Sequence, residues 1–221
     1  MLLGDSLCLP RNENEKRVRY ECLYPVLLNN SSGLQIINFS RRSKTIVDIR
    51  SEIGEIVLYE PKVVILHIGI VDCAPRIFSK KEKIMYSRFP RILRDFVIRN
   101  RKKRRTNIQG KNPLRKVYVN PELFKKTYLE VISMLRQELC DLRIIIIPIS
   151  GYLNRLELKS KGFKHNIDLY NQLLYQISNE TNCELLNNSD MLLSSEYYVD
   201  DYYHLSETGH IAFFERLLKY F

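Results

Sequence analysis

The chain has little of what organises small secreted, fibrous or membrane-spanning proteins. Its five cysteines, Cys8, Cys22, Cys73, Cys140 and Cys183, include no C-x-x-C pair, which removes zinc-ribbon and thioredoxin-like readings. An odd, widely spaced set predicts free thiols in a reducing compartment rather than a disulfide framework. Long apolar runs are also missing. The longest strongly apolar one, Ile144 to Ile147, is far too short to span a bilayer. The opening MLLGDSLCLP has neither a basic start nor a long apolar stretch, so it does not read as a signal peptide and a cytoplasmic location is expected. The sequence shows no internal repeat, low-complexity tract or linker, which excludes solenoid and collagen-like arrays. Walker, Rossmann and G-x-S-x-G motifs are absent.

What is present is enough for a core. Hydrophobic residues make up 45% of 221 residues and 26.3 kDa, which fits a single domain spanning 1–221. A net charge of +10 would point to nucleic acid if it were spread evenly. It is not. Arg76 to Lys116 holds 16 basic and 2 acidic side chains, a net +14, which leaves −4 for the remainder. The basicity therefore belongs to an insert at about 78–116. Ile84, Phe89, Ile92, Leu93, Phe96 and Val97 give its first half the content of a helix packed on the body. Arg99–Lys111 reads as an exposed, poorly ordered charged loop that chemistry does not need.

Short β-branched runs alternate with helical patterns elsewhere. Leu34–Asn38, Lys62–Ile68 and Arg143–Ile149 read as strands, with Met1–Leu3 and Cys183–Leu186 as shorter candidates. Their near-continuous apolar character suits parallel strands covered on both faces. Helices are predicted at Ser51–Tyr59, Pro121–Leu139, Asn166–Ser178 and Glu207–Tyr220. Asn120 and Ser206 serve as N-caps, and Pro121 occupies the first helical position. This rhythm predicts an α/β fold around a parallel sheet of about five strands.

Three pieces could carry chemistry. Gly4-Asp5-Ser6-Leu7 follows the first strand, placing a serine at the sheet's ligand edge. Asp201-Tyr202-Tyr203-His204 precedes the last helix. Its spacing lets Asp201 accept from one imidazole nitrogen while the other faces a serine hydroxyl. Gly69-Ile70-Val71-Asp72 ends a core strand. Each is a common turn sequence alone, but all three fall on one edge. His67, His165 and His210 form no metal-binding trio with His204, so neither metal nor cofactor is expected. Cys73 reads as a buried small hydrophobe.

In this order the blocks resemble those of the SGNH, or GDSL-type, hydrolases. The resemblance implies a three-layer α/β sandwich of flavodoxin-like arrangement and a Ser6–His204–Asp201 triad, with Leu205 following as is usual. In the strand-two block Asn38 matches, and Ser43 stands where the family has glycine. Its backbone N–H, with that of Ser6, would hold the oxyanion. The Gly-x-Asn-Asp block reads Gly69-Ile70-Val71-Asp72, and valine cannot donate a side-chain hydrogen bond. Arg76, five residues along the same loop, is the candidate replacement. With Arg41 and Arg42 it suggests a pocket suited to an anionic substrate.

The implied activity is hydrolysis of an ester, in particular an O-acetyl ester of a sugar or polysaccharide precursor. The variant looks like proteins of bacterial surface-polysaccharide gene clusters. O-acyl transfer to a sugar is the alternative chemistry, and a catalytically weakened carbohydrate-binding protein a third reading. A binding role for the basic run, on nucleic acid or an anionic membrane, is a fourth. No stable nucleic-acid partner is expected, because the run Arg99–Lys111 interleaves no aromatics for stacking.

Overall fold

The computed structural model describes residues 1–11, 18–31, 33–76, 78–109 and 116–221. The sheet has four strands among the described residues, β1 (Leu2–Gly4), β2 (Val63–His67), β3 (Arg143–Ile146) and β4 (Glu184–Leu185), and the two central ones, β2 and β3, form where the β-branched runs fall. They pair in parallel in the order β1-β2-β3-β4. The register sets Leu3 against Leu66, Ile65 against Ile145 and Ile146 against Leu185. Ile144 to Ile147 are all buried, so each aliphatic side chain contributes about 1.5–3 kcal/mol of transfer free energy.

The fifth strand expected at Leu34–Asn38 is reduced to one parallel bridge between Asn38 and Leu2. Leu2 N–H donates to Ile37 O at 2.8 Å and Phe39 N–H to Leu2 O at 2.8 Å. Ile36 N–H faces away from β1 and donates to the Asn29 side chain at 3.0 Å. Even so, this segment lies outside β1, and the crossover pattern is that of a flavodoxin-like sheet.

Helices flank the sheet in two groups. On one side α1 (Tyr24–Ser31) packs with α10 (Glu207–Leu218). The other group comprises α2 (Ile46–Ser51), α3 (Ile53–Val57), α7 (Pro121–Glu138), α8 (Leu153–Lys159) and α9 (Phe163–Thr181). A short α4 (Ile70–Cys73) follows β2. In α7 the Asn120 side chain accepts from Leu123 N–H at 2.8 Å, and the predicted stripe Phe124, Tyr128, Val131 and Leu135 is buried. Ser206 caps α10 by accepting from Gly209 N–H at 3.1 Å. The helix expected at Ser51–Tyr59 is the shorter α3, and a separate α2 precedes it, its start capped where Asp48 accepts from Thr45 N–H at 2.7 Å.

The insert corrects the sequence reading. It forms α5 (Lys80–Ser87) and α6 (Arg91–Gln109), so Arg99 to Gln109 is helix, not loop. Lys111 lies outside the described residues. Arginine, lysine and glutamine are good helix formers, and each like-charge contact along a helix costs only about 0.2–0.5 kcal/mol. The first half does not pack on the body as expected: Ile84, Phe89, Ile92, Leu93 and Phe96 are exposed, and Val97 is half-buried. The insert is closed at its base, where Arg76 N–H donates to Lys116 O at 2.7 Å and Lys116 Nζ pairs with Glu82 at 3.1 Å. Among the described residues no helix is long and apolar enough to cross a membrane.

Candidate active site

Ser6 is set by what precedes it. β1 stops at Gly4, where a Cβ would come within 2.5 Å of Cys8 Sγ and 2.8 Å of Ser40 Oγ. The chain can turn this tightly only without a side chain there. Asp5 then accepts from Leu7 N–H at 2.9 Å and starts a 3₁₀ turn, Ser6–Cys8. The turn lifts Ser6 off the C-terminal edge of the sheet.

Asp5 itself is fully buried, and its Oδ2 has no hydrogen-bond partner among the described residues. Burial pushes its carboxyl up to about 7, against the Leu7 hydrogen bond and the charge of Arg76. The folded state therefore holds the proton more tightly than the unfolded chain, whose carboxyl titrates near 3.8. That stability is present at low pH and lost as pH rises toward 7, on the order of a few kcal/mol. Asp5→Asn should keep the cap and remove the titration. Its melting temperature relative to the wild type should be higher at pH 8 than at pH 5. An equal difference at both pH values would show that Asp5 does not ionise in this range.

His204 is placed by a turn before α10. Tyr198 and Leu205 form an antiparallel bridge, Val199 N–H donates to His204 O at 2.9 Å, and Tyr202 turns the chain with a left-handed φ of 70°. Asp201 Oδ1 accepts from the N–H groups of Tyr203 at 3.2 Å and His204 at 2.9 Å. Its Oδ2 lies 2.5 Å from His204 Nδ1. Burial opposes ionisation of Asp201, but the hydrogen bonds from His204 and the turn hold its carboxyl below the usual range. An ionised carboxylate only accepts, so Nδ1 carries the proton and Nε2 is left with its lone pair. His204 Nε2 lies 2.8 Å from Ser6 Oγ, closing a continuous Ser–His–Asp chain.

Arg11 joins this cluster, and sequence reasoning missed it. Its Nη1 reaches His204 Nε2, and its Nη2 lies 3.3 Å from Asp201 Oδ2. One lone pair on Nε2 thus faces two donors, the serine hydroxyl and a guanidinium. Val18 N–H donates to Arg11 O at 3.1 Å, so Arg11 sits at the base of an antiparallel pairing. The only signal in the sequence was its position five residues after Ser6.

A cavity of about 220 Å³ opens beside Ser6. Ser43, Val71, Arg76, Lys159, Phe163 and Tyr203 help to line it, and among the described residues no carboxylate does. Ser43 has a left-handed φ of 61°, the backbone that glycine adopts freely, and its N–H makes no hydrogen bond among the described residues. The Ser6 N–H opens its 3₁₀ turn and has no partner within it. Arg76 Nη2 donates to Val71 O at 3.1 Å, and its guanidinium lies 4.4 Å from the Tyr118 ring centre.

Other residues singled out from the sequence lie off the cavity wall. Gly69 has a φ of 139°, and a Cβ there would meet Ile149 Cδ1 at 2.7 Å, so its place is conformational. Asp72 is buried and accepts from Ile46 N–H at 3.1 Å, tying α4 to the start of α2. Arg42 is exposed, and Arg41 pairs with Glu52 at 2.8 Å. Asn38 donates to Cys8 O at 2.9 Å behind the serine turn. Cys73 is buried. His67 Nδ1 shares a hydrogen bond with Tyr24 Oη at 2.9 Å and is pushed down to about 3 by burial and by His210, which keeps it neutral in the core.

A model of the GDSL-like lipase/acylhydrolase family matches residues 2–212. Among solved structures, a putative lipolytic protein of the G-D-S-L family from Desulfitobacterium hafniense DCB-2 is 16% identical with a TM-score of 0.64, covering 100% of this chain and 97% of that one. A catalytic mutant of Axe2, an acetylxylan esterase from Geobacillus stearothermophilus, is 16% identical with a TM-score of 0.64, covering 99% and 91%. The acetyl xylan esterase AlAXEase is 15% identical with a TM-score of 0.62, covering 99% and 98%. No curated protein matches by sequence search.

Proposed function

Because the chain belongs to the GDSL-like lipase/acylhydrolase family, we propose that it is a serine esterase whose nucleophile is Ser6, with His204 as general base and Asp201 orienting it. The observation that carries this reading is the unbroken contact from Ser6 Oγ through both imidazole nitrogens to the Asp201 carboxylate. Ser6 Oγ attacks the ester carbonyl as its proton passes to His204 Nε2. Asp201 stabilises the imidazolium that forms. The tetrahedral oxyanion is held by the N–H groups of Ser6 and Ser43, with Arg76 replacing the side-chain donor that Val71 lacks. His204 then gives its proton to the departing alcohol oxygen, leaving an acyl group on Ser6. Water, losing a proton to the same nitrogen, attacks that acyl carbonyl; the acyl–Oγ bond then breaks, His204 returns the proton to Ser6 Oγ, and the acid leaves.

The substrate we assign is a short acyl ester, an O-acetyl group, on a sugar that carries negative charge. A cavity of about 220 Å³ suits a short acyl group, and two cationic side chains, Arg76 and Lys159, belong to its wall. Two structural neighbours carry the name acetyl xylan esterase, which accords with an acetyl-sugar substrate.

The test is steady-state hydrolysis of matched chromogenic esters by the wild type and Arg76→Ala. For the wild type, kcat/KM should be highest for acetyl and fall at least tenfold by octanoyl. No turnover of any ester would sink the esterase reading. Arg76→Ala should lower kcat about 10²-fold on a neutral acetyl ester with KM little changed. A rise in KM confined to acidic esters would assign Arg76 to substrate charge instead, and unchanged kinetics on both would remove it from the site.

A further inference from the structure

The triad and cavity make no use of the basic insert, whose helices face solvent with large apolar side chains. Ile92 is 84% exposed, Phe96 60%, Leu93 55%, Met85 48% and Phe89 41%. They are not scattered. They lie within one short stretch from α5 into the first turns of α6, and arginines separate them: Arg88, Phe89, Pro90, Arg91, Ile92, Leu93, Arg94. Arg91 is itself highly exposed, and the one acidic residue of α6, Asp95, is shared between Arg91 and Arg94 at 3.9 and 4.0 Å. Beyond it the helix continues with Arg99, Arg101, Lys102, Lys103, Arg104 and Arg105.

We propose that this face of α5 and α6 docks onto an anionic lipid surface. Phe89, Ile92, Leu93 and Phe96 enter the headgroup–acyl boundary while Arg88, Arg91 and Arg94 meet lipid phosphates. A large apolar side chain held in water beside a guanidinium gains on transfer to an interface that is apolar within and negative at its surface. Other occupants fit the same residues less well. A two-fold contact with a second copy sets a patch against itself, which would bring two segments of net +14 together. A nucleic acid would use the charge, but it offers nothing to Ile92, Leu93 or Met85, which cannot stack on bases. The insert leaves the body between Arg76, on the cavity wall, and Lys116, hydrogen-bonded to it. Docking would therefore hold the cavity close to the lipid surface. The proposal is independent of the esterase reading.

The experiment uses the full chain and vesicles of phosphatidylcholine alone or with one quarter phosphatidylglycerol. The protein should sediment with the anionic vesicles and bind neutral ones at least tenfold more weakly. The double variant Ile92→Ser/Phe96→Ser keeps the charge and should bind anionic vesicles about tenfold more weakly. Both positions are exposed, and circular dichroism checks that the variant folds. The chain has no tryptophan, so Phe96→Trp gives a single emission that should shift to the blue on anionic vesicles. Equal vesicle binding by the double variant, or no shift from the tryptophan, would overturn insertion. So would tighter binding to a single-stranded RNA oligonucleotide than to vesicles. A dimer in sedimentation that the double variant dissolves would assign the face to a second copy.

Discussion

Ser6→Ala should lower kcat for a short acetyl ester by about 10⁴-fold or more while KM stays within about twofold of the wild type. The substitution removes one oxygen. It leaves the His204–Asp201 pair, the Ser43 N–H and the cavity wall in place, so binding persists and attack does not. The Ser6 backbone N–H also survives, and the residual rate reports what the cavity and its donors achieve without a nucleophile. Intact-mass spectrometry after mixing with an activated acetyl ester should find one acetyl adduct on the wild type and none on the variant. Retention of more than a tenth of wild-type kcat would mean that another group attacks.

Asp201→Asn should cost about 10³- to 10⁴-fold in kcat with the fold intact. Its side-chain oxygen can still accept from the N–H groups of Tyr203 and His204, so the turn is preserved. The other branch becomes an amide NH₂ facing His204 Nδ1. That nitrogen must then accept, which moves the ring proton to Nε2, the atom facing Ser6 Oγ. A histidine protonated there cannot take the serine proton. If the variant lost less than tenfold, the role of Asp201 would be confined to shaping the turn, and Arg11, which contacts both triad partners, would be the next residue to replace.

Elements with strong end signals were legible in the sequence. Asn120-Pro121 and Ser206 gave the starts of α7 and α10, because a cap is a local interaction that one residue type determines. The two central strands, β2 and β3, were legible for a similar reason, since burial on both faces requires unbroken β-branched runs. Failures came where a distant partner decided the outcome. The Leu34–Asn38 run has strand composition, yet it meets β1 in a single bridge, and the Asn29 side chain on α1 holds its other side at Ile36 N–H. α6 was misread because its like charges were weighed above the helix propensity of the same residues. At the site, Ser6, Asp201 and His204 were visible as two short blocks at strand and helix boundaries. Asp72 was not separable from them by sequence, because its buried bond to Ile46 N–H exists only once α2 and α4 meet. Arg11 belongs to no pattern at all. It reaches the histidine across 193 residues of chain.

The hydrogen bond between Arg76 N–H and Lys116 O bears on how such a chain comes to exist. β2 and β3 are neighbours in the sheet, yet the chain between them runs from His67 to Arg143. Excising 77–115 would roughly halve that connection. The entropy of closing a flexible connection grows only as the logarithm of its length, so a twofold change is worth about 0.6 kcal/mol. With its two ends already pinned side by side, the segment weighs even less on the pairing of β2 with β3. A lineage could therefore lengthen, shorten or recharge this appendage almost without penalty to folding. Natural variation should accumulate there far faster than in the strands it separates, and where a protein acts could diverge while the reaction it performs stays the same.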